Sequence, residues 1–431
     1  MSRVNLIACH ECDLLQREVA VPPGGVLRCR RCHAELVRNR TGGLERALAF
    51  SLAAVVLFVV SNLDPIVGLS VSGTVVETTL LGAVWVLYQD GMWPIAGLVF
   101  ATTFLLPVVQ TLSMLWMLLP LRFNRVPWGA AFMFRLCRAT APWGMTEVLI
   151  LGLLVALVKL AHIASVVVGT ALWSFGALML ILAAAGAAFD TRQIWARIAA
   201  VQGRGSAAEQ SVSTSLPSGV VTAAQCGLVL CHDCGLLARA PAHAHDLTCP
   251  RCGAHMHLRK PASFSRTWAL LIAAMVLYIP ANVLPVMYTS SLFGAEKDTI
   301  LSGVVYLWTS GSWPLAAIVF IASIAVPMLK ILAIAYLAIS TQLGSRWLPE
   351  QRTRIYRVVE FVGRWSMLDI YVITMLVALV QFQALATIQA GGAAIAFGGV
   401  VVLTMFAAMA FDPRLIWDAA EQDHAGTRTK T

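Results

Sequence analysis

Eight of the ten cysteines in this 431-residue chain fall into two matching sets with the spacing of metal ligands. Cys9-x2-Cys12 and Cys29-x2-Cys32 are separated by sixteen residues, and Cys231-x2-Cys234 and Cys249-x2-Cys252 by fourteen. Paired Cys-x2-Cys turns at that distance predict a tetrahedral zinc ribbon. Four thiolates saturate the metal and leave no position for water, so each of the two zinc ions is expected to be structural rather than catalytic. His10, His33 and His232 adjoin ligands but are not needed to complete either set. Cys137 and Cys226 stand outside the sets and read as bystanders.

A second group of residues sits within long apolar runs. Lys330, Asp369 and Thr404 lie roughly 7–15 Å from one end of three expected helices, counting 1.5 Å per residue. Ser323 falls on the Lys330 face, seven residues earlier. Charged side chains inside a membrane are costly and default to function, so a proton- or substrate-handling pair is the expectation for Lys330 and Asp369. A buried pair that only registers helices is the competing reading. Pro327 lacks an N–H and should release the carbonyl of Ser323 and kink the helix there. Pro107 should do the same to Thr103. In the first half of the chain Gln110 stands for the lysine, Glu147 keeps the acid and Leu182 replaces the threonine, leaving Gln110 and Glu147 as secondary candidates.

These residues are positioned by a duplicated framework. Asn62-Leu63-Asp64-Pro65 matches Asn282-Val283-Leu284-Pro285, and Gly91-Met92-Trp93-Pro94 matches Gly311-Ser312-Trp313-Pro314, both at an offset of 220. Trp143-x-Met145-x-Glu147 matches Trp365-x-Met367-x-Asp369, and Phe189-Asp190-x-Arg192 matches Phe411-Asp412-x-Arg414, both at 222. Internal repeats around hydrophobic spans are a common way of building transporters. With 58% hydrophobic and 12% charged residues, the chain has about half the charge of an ordinary soluble domain. Its mean hydropathy is +0.76. The fold class is therefore a polytopic α-helical membrane protein of two repeats, each a four-cysteine ribbon followed by a four-helix transmembrane bundle. The eight spans are expected near 46–63, 94–119, 143–162, 167–189, 267–284, 314–340, 365–383 and 393–411. The corresponding domains are ribbon 1 at 1–43, bundle 1 at 44–200, a linker at 201–225, ribbon 2 at 226–260, bundle 2 at 261–419 and a flexible tail at 420–431.

Orientation follows from the loops. Arg122, Arg125, Arg135 and Arg138 follow the second span, and Arg346, Arg352, Arg354, Arg357 and Arg364 follow the sixth, whereas 64–93 holds no Lys or Arg. The positive-inside rule then places both termini and both ribbons in the cytoplasm, with the first helix as signal anchor. A reducing cytoplasm disfavours disulfides, which reinforces the metal reading. The net charge of +9 is topological, an anchor to anionic lipid rather than a nucleic-acid footprint.

The duplicated clusters, Pro280-Ala281-Asn282-Val283-Leu284-Pro285, Asp298-Thr299-Ile300-Leu301-Ser302-Gly303, the run from Val319 to Lys330, and Gly363-Arg364-Trp365-Ser366-Met367-Leu368-Asp369 resemble the paraquat-inducible protein A family, in particular its LetA-type members. The resemblance spans nearly the whole chain and is weakest in the first transmembrane half. It implies a Gram-negative inner-membrane protein that moves phospholipid with a periplasmic partner of the mammalian-cell-entry (MCE) type, a hydrophobic tunnel. It also implies tetraspanin-like four-helix units and carries the polar set over to Ser323, Lys330, Asp369 and Thr404. No G-x-x-x-x-G-K-[ST] occurs, so a proton gradient through Lys330 and Asp369 is the economical energy source. Two other classes stay open: a small-molecule exporter using the same polar site without a tunnel, and a zinc- or redox-responsive signalling protein working through the ribbons. No nucleophile and base combination appears among the spans, so an enzyme is not expected.

Overall fold

The computed structural model describes residues 6–40, 42–71, 74–144, 146–160, 165–203, 221–240, 247–291, 294–311, 313–379, 381–382 and 386–418. Most of the expected linker (204–220) and the tail 420–431 lie outside these residues.

Ribbon 1 is two antiparallel hairpins, β1 (Leu6–Ala8) with β2 (Leu15–Arg17) and β3 (Val26–Arg28) with β4 (Glu35–Arg38). Each hairpin turns through one Cys-x2-Cys pair. In bundle 1, α1 (Gly43–Leu63) ends where Asp64-Pro65 removes the next helical donor. The chain then forms the hairpin β5 (Val67–Val71) and β6 (Thr74–Thr78) and a short apolar helix α2 (Leu80–Gln89), N-capped by the Thr79 hydroxyl accepting from Gly82 N at 3.0 Å. Gly91, at φ 79°, turns the chain into α3 (Trp93–Phe100), and Gly311, at φ 83°, makes the same turn in the second repeat. That turn and the proline in the first helical turn account for the repeated Gly-x-Trp-Pro motif.

From α3 the chain runs through a π-helical turn (Ala101–Leu105) into α4 (Leu106–Arg122), then α5 (Ala130–Thr140), α6 (Thr146–Leu160), β7 (Ser165–Val168), α7 (Thr170–Ala188) and α8 (Thr191–Val201). Ribbon 2 repeats the hairpins as β8 (Leu228–Leu230) with β9 (Leu237–Arg239) and β10 (Leu247–Thr248) with β11 (His255–Met256). Bundle 2 repeats the rest: α9 (Ser263–Val283), β12 (Met287–Ser291), β13 (Gly294–Asp298), α10 (Ile300–Thr309), α11 (Trp313–Phe320), a π-helical turn (Ile321–Ala325), α12 (Val326–Gln342), α13 (Pro349–Gly363), a 3-10 turn (Arg364–Met367), α14 (Leu368–Leu379), β14 (Gln381–Phe382), β15 (Ala386–Ala390) and α15 (Gly392–Ala410).

Among the described residues seven helices are long and apolar enough to cross a membrane: Gly43–Leu63, Trp93–Arg122, Ala130–Leu157, Thr170–Ala188, Ser263–Val283, Ala316–Gln342 and Gly392–Ala410. They bear out a duplicated polytopic helical architecture. The expected crossing at 365–383 differs: α14 has 12 residues, about 18 Å of helix against a hydrocarbon core of about 30 Å. It stops at Leu379 because the chain enters a sheet of order β13-β12-β15-β14. The matching three-stranded sheet, β6-β5-β7, takes up Ser165–Val168 between α6 and α7.

The prolines also act differently from expectation. Instead of a bare kink, Pro107 and Pro327 each follow a five-residue π-helical turn. A π turn accommodates a missing N–H by adding one residue to the ladder. In both repeats the hydroxyl at the same position then serves the same carbonyl. Thr103 Oγ1 donates to Val99 O at 2.7 Å and Ser323 Oγ to Val319 O at 2.6 Å.

The repeats meet through α6 and α14, which pack on one another in the largest apolar core. A Cβ placed on Gly152 would lie 2.9 Å from Tyr371 Cβ and 3.2 Å from Leu368 O, so only glycine permits this approach. The fully buried Tyr371 hydroxyl donates to Thr102 Oγ1 of bundle 1 at 2.9 Å. The ribbons dock crosswise. Ribbon 1 packs its cysteines against Leu337, Tyr356, Phe411 and Trp417 of bundle 2, while ribbon 2 packs against Met117, Phe134 and Ile198 of bundle 1. The ribbons also touch each other, with Arg259 Nη1 donating to Asp13 Oδ2 at 2.9 Å.

Candidate functional sites: two cysteine ribbons and a buried lysine

The four sulfurs of each ribbon converge. Cys9 Sγ lies 3.4 Å from Cys32 Sγ and Cys12 Sγ 3.5 Å from Cys29 Sγ, and Cys231–Cys252 and Cys234–Cys249 are each 3.5 Å apart. A disulfide needs about 2.05 Å, whereas four sulfurs about 2.3 Å from one zinc stand roughly 3.8 Å apart, so the geometry fits a metal and excludes a bridge. All eight cysteines are buried. The turns that hold them are backbone devices. Cys9 N donates to Leu14 O at 3.0 Å, and Cys29, Cys231 and Cys249 donate to Ala34, Leu236 and Ala254 at 2.8 Å. The residue after each second cysteine is left-handed: Asp13, His33, Gly235 and Gly253, at φ 60°, 60°, 70° and 67°. Ribbon 2 uses glycine there, and ribbon 1 bears the strain of two side chains. Gln16 Nε2 donates to Cys29 Sγ at 3.4 Å, which supports a thiolate. Cys137 is buried and Cys226 half-buried, both outside the sets.

Charged contacts fasten these ribbons down. Arg357 of α13 binds the Glu11 carboxylate and donates to Cys32 O at 2.6 Å, and the Arg31 guanidinium lies 4.3 Å from the centre of the Trp417 ring. Arg259 reaches Asp13 at 2.9 Å and Asp418 at 2.6 Å. Burial pushes the Asp13 carboxyl above its usual value, outweighing the pull of Arg259. For Asp412, fully buried, burial acts in the same direction but the Arg414 guanidinium at 2.9 Å prevails and holds the group below the usual carboxylate range.

Within bundle 2, Lys330 is 2% exposed. Its Nζ donates to Thr404 Oγ1 at 3.0 Å and to Ser366 Oγ at 3.4 Å, and a Cβ on Gly363 would come within 3.7 Å of it. Two of the residues singled out from the sequence, Lys330 and Thr404, therefore meet, from α12 and α15. Ser323 is buried one helical segment away and bonds its own helix. Asp369 lies in the first turn of α14, one turn beyond Ser366, and its side chain lies outside the described residues. Ser366 itself escaped the sequence reading. The repeat held the signal, since the Trp-x-Met motif has serine here and Gly144 in the first half.

Bundle 1 has a reduced version of this site. Gln110 is half-buried, with Oε1 3.1 Å from where a Cβ on Gly144 would sit, and Leu182 stands at the position equivalent to Thr404. Glu147 is exposed in the first turn of α6. The lysine, serine and threonine cluster thus belongs to one repeat only.

Fold and sites together define a duplicated multi-pass membrane protein with two four-cysteine metal sites and a polar centre in its second bundle. The family described as paraquat-inducible protein A matches residues 44–199 and 264–421. The chain is 36% identical over 423 residues to the intermembrane transport protein PqiA of Escherichia coli strain K12, covering 97% of each. It is 28% identical over 419 residues to the lipophilic envelope-spanning tunnel protein A of the same organism, covering 97% of this chain and 92% of that one. A probable intermembrane transport protein of Haemophilus influenzae is 25% identical over 419 residues, covering 97% of each chain. No solved structure matches. The chain belongs to the paraquat-inducible protein A family.

Proposed function

We propose that the protein is an inner-membrane component of intermembrane phospholipid transport, with both ribbons and both termini cytoplasmic. It passes lipid to or from a periplasmic MCE-domain tunnel and performs no covalent catalysis. The observation that carries this reading is the buried ammonium of Lys330, held by hydroxyls of α12's neighbours inside an otherwise apolar bundle. An ammonium with hydroxyl ligands suits a phosphate headgroup or an exchanged proton, with Asp369 as the acid. The names of the relatives, intermembrane transport protein and lipophilic envelope-spanning tunnel protein, favour lipid over a soluble cargo. Each ribbon holds one structural zinc through Cys9, Cys12, Cys29 and Cys32, or through Cys231, Cys234, Cys249 and Cys252. The metal supplies folding energy there and takes no part in transport.

Replacing Thr404 by a photoreactive benzoylphenylalanine in living cells tests the reading. A phospholipid adduct on the chain, lost when the neighbouring tunnel gene is absent or changed in amount, is the expected result. A protein that crosslinks no lipid under conditions where a lipid-facing control position does so would remove the proposal.

A further inference from the structure

The two repeats end differently on their ribbon-facing sides. In bundle 2 that end is closed. Lys260 Nζ donates to the carbonyls of Met409 in α15 and of Phe411 just beyond it, at 2.7 and 3.1 Å, and Arg414 sits on Asp412. Tyr356 OH donates to Ala408 O at 3.3 Å and covers a buried Ala408. The corresponding residues of repeat 1, by the offsets of 220 and 222, are Arg40, Arg192, Asp190, Phe134 and Gly186.

None of these closes the first repeat. Arg192 turns away to Glu18 of ribbon 1, so among the described residues the Asp190 carboxylate keeps only the backbone N–H of Arg192, at 2.9 Å. Phe134 has no hydroxyl to offer, and a Cβ on Gly186 would meet nothing within 4 Å. Among the described residues the guanidiniums of Arg40 and Arg138 and the carboxylate of Asp233 make no hydrogen bond and no close ion pair, and act on their neighbours only at longer range, Arg138 and Arg135 on Asp233 and Arg40 on Glu35. Arg40, Arg138 and Asp233 line one cavity of about 450 Å³ between both ribbons and the end of α7. Such a volume is in the range of small-ligand sites, and the lining is polar on opposed signs.

We propose that this cavity binds a phosphate-bearing zwitterion, a phospho-amine, with its phosphate on Arg138 and Arg40 and its ammonium on Asp190 and Asp233. Guanidinium is the side chain suited to bidentate phosphate recognition, and two carboxylates lining the same space, Asp190 and Asp233, select a ligand that also carries a cation. A simple anion would leave those carboxylates facing like charge. The ligand's source is either a membrane phospholipid headgroup or a free phospho-amine. Only the first of these rests on the transport reading above.

The test uses the purified full-length chain with both metals retained. Its binding of phosphoethanolamine, of dihexanoyl-phosphatidylethanolamine below its micelle concentration, and of inorganic phosphate is titrated. The wild type is expected to bind at least one amine-bearing probe more tightly than phosphate. Arg138→Gln and the cavity-filling Gly186→Leu should each weaken that binding tenfold or more. Asp190→Asn, which keeps the helix cap, should erase the preference over phosphate. Binding of the lipid alone assigns the source to the membrane, and equal binding of both amines assigns recognition to the headgroup. Failure of every probe to bind, or affinity unchanged in both Arg138→Gln and Gly186→Leu, overturns the inference. Lipid crosslinking at Thr404 would persist in that event, so the two readings fail separately.

Discussion

Single charged residues set how this molecule responds to its surroundings, and Asp412 shows the sign most clearly. Its carboxyl is buried, yet Arg414 and the backbone N–H of Lys260 at 2.9 Å favour the ionised form. A carboxylate whose folded pKa is depressed stabilises the fold above its unfolded value, near 3.9, and that contribution is lost as pH falls through the folded value. Removing the Arg414 side chain takes away the largest opposition to burial and leaves only backbone N–H donors to favour the ionised form. The thermal stability gap between the wild type and Arg414→Ala should therefore be widest near neutral pH and narrow below about pH 4. A gap constant from pH 7 to 3 would show that the pair has no part in the acid response. The same residue-level logic was legible in the sequence for the cysteines, for Lys330 and for Thr404, because each is a polar type fixed by spacing or by depth. Ser366 was not legible by depth, since a serine in an apolar run costs little and attracts no notice until a cation is found beside it.

At the scale of elements, the crossed ribbons carry the firmest consequence. Ribbon 1 is held to α13 of the opposite repeat by Arg357, whose guanidinium binds both Glu11 and the carbonyl of the ligand Cys32. Glu11 is 8% exposed, so losing its partner strands a charge and costs about 1–3 kcal/mol. Arg357→Ala should thus speed metal release from ribbon 1 to a chelator roughly tenfold or more, each 1.4 kcal/mol being a factor of ten. The second kinetic phase, from ribbon 2, should keep its rate. Equal acceleration of both phases would mean that the ribbons respond as one unit. This docking could not be read from the chain, where each ribbon precedes its own bundle and proximity in sequence suggests proximity in space. The sheets were missed for a related reason: hydropathy marked Ser165–Val168 and Ala386–Ala390 only as margins of apolar runs, and their strand pairing with Val67–Val71 and Met287–Ser291 is non-local. The π-helical turns show the limit of counting at 3.6 residues per turn, because one added residue absorbs what Pro107 or Pro327 takes away.

Over the whole molecule, duplication supplies a frame and divergence assigns the work. Both repeats keep the ribbons, the Gly-x-Trp-Pro turns and the π-helical turns, and both bury glycine or serine where helices approach. The polar centre of Lys330, Ser366 and Thr404 belongs to the second repeat, while the open cavity at the ribbon end belongs to the first. The central claim is that the second-repeat centre works in lipid transport and does more than hold helices together. The double substitution Lys330→Met/Asp369→Leu separates these roles, because apolar residues of similar volume relieve the cost of a buried structural pair. In cells that depend on this chain for their outer-membrane lipid barrier, the account predicts a double variant present at normal abundance, carrying two metals per chain, and unable to restore the barrier. A variant equally abundant and fully able to restore it would contradict the account.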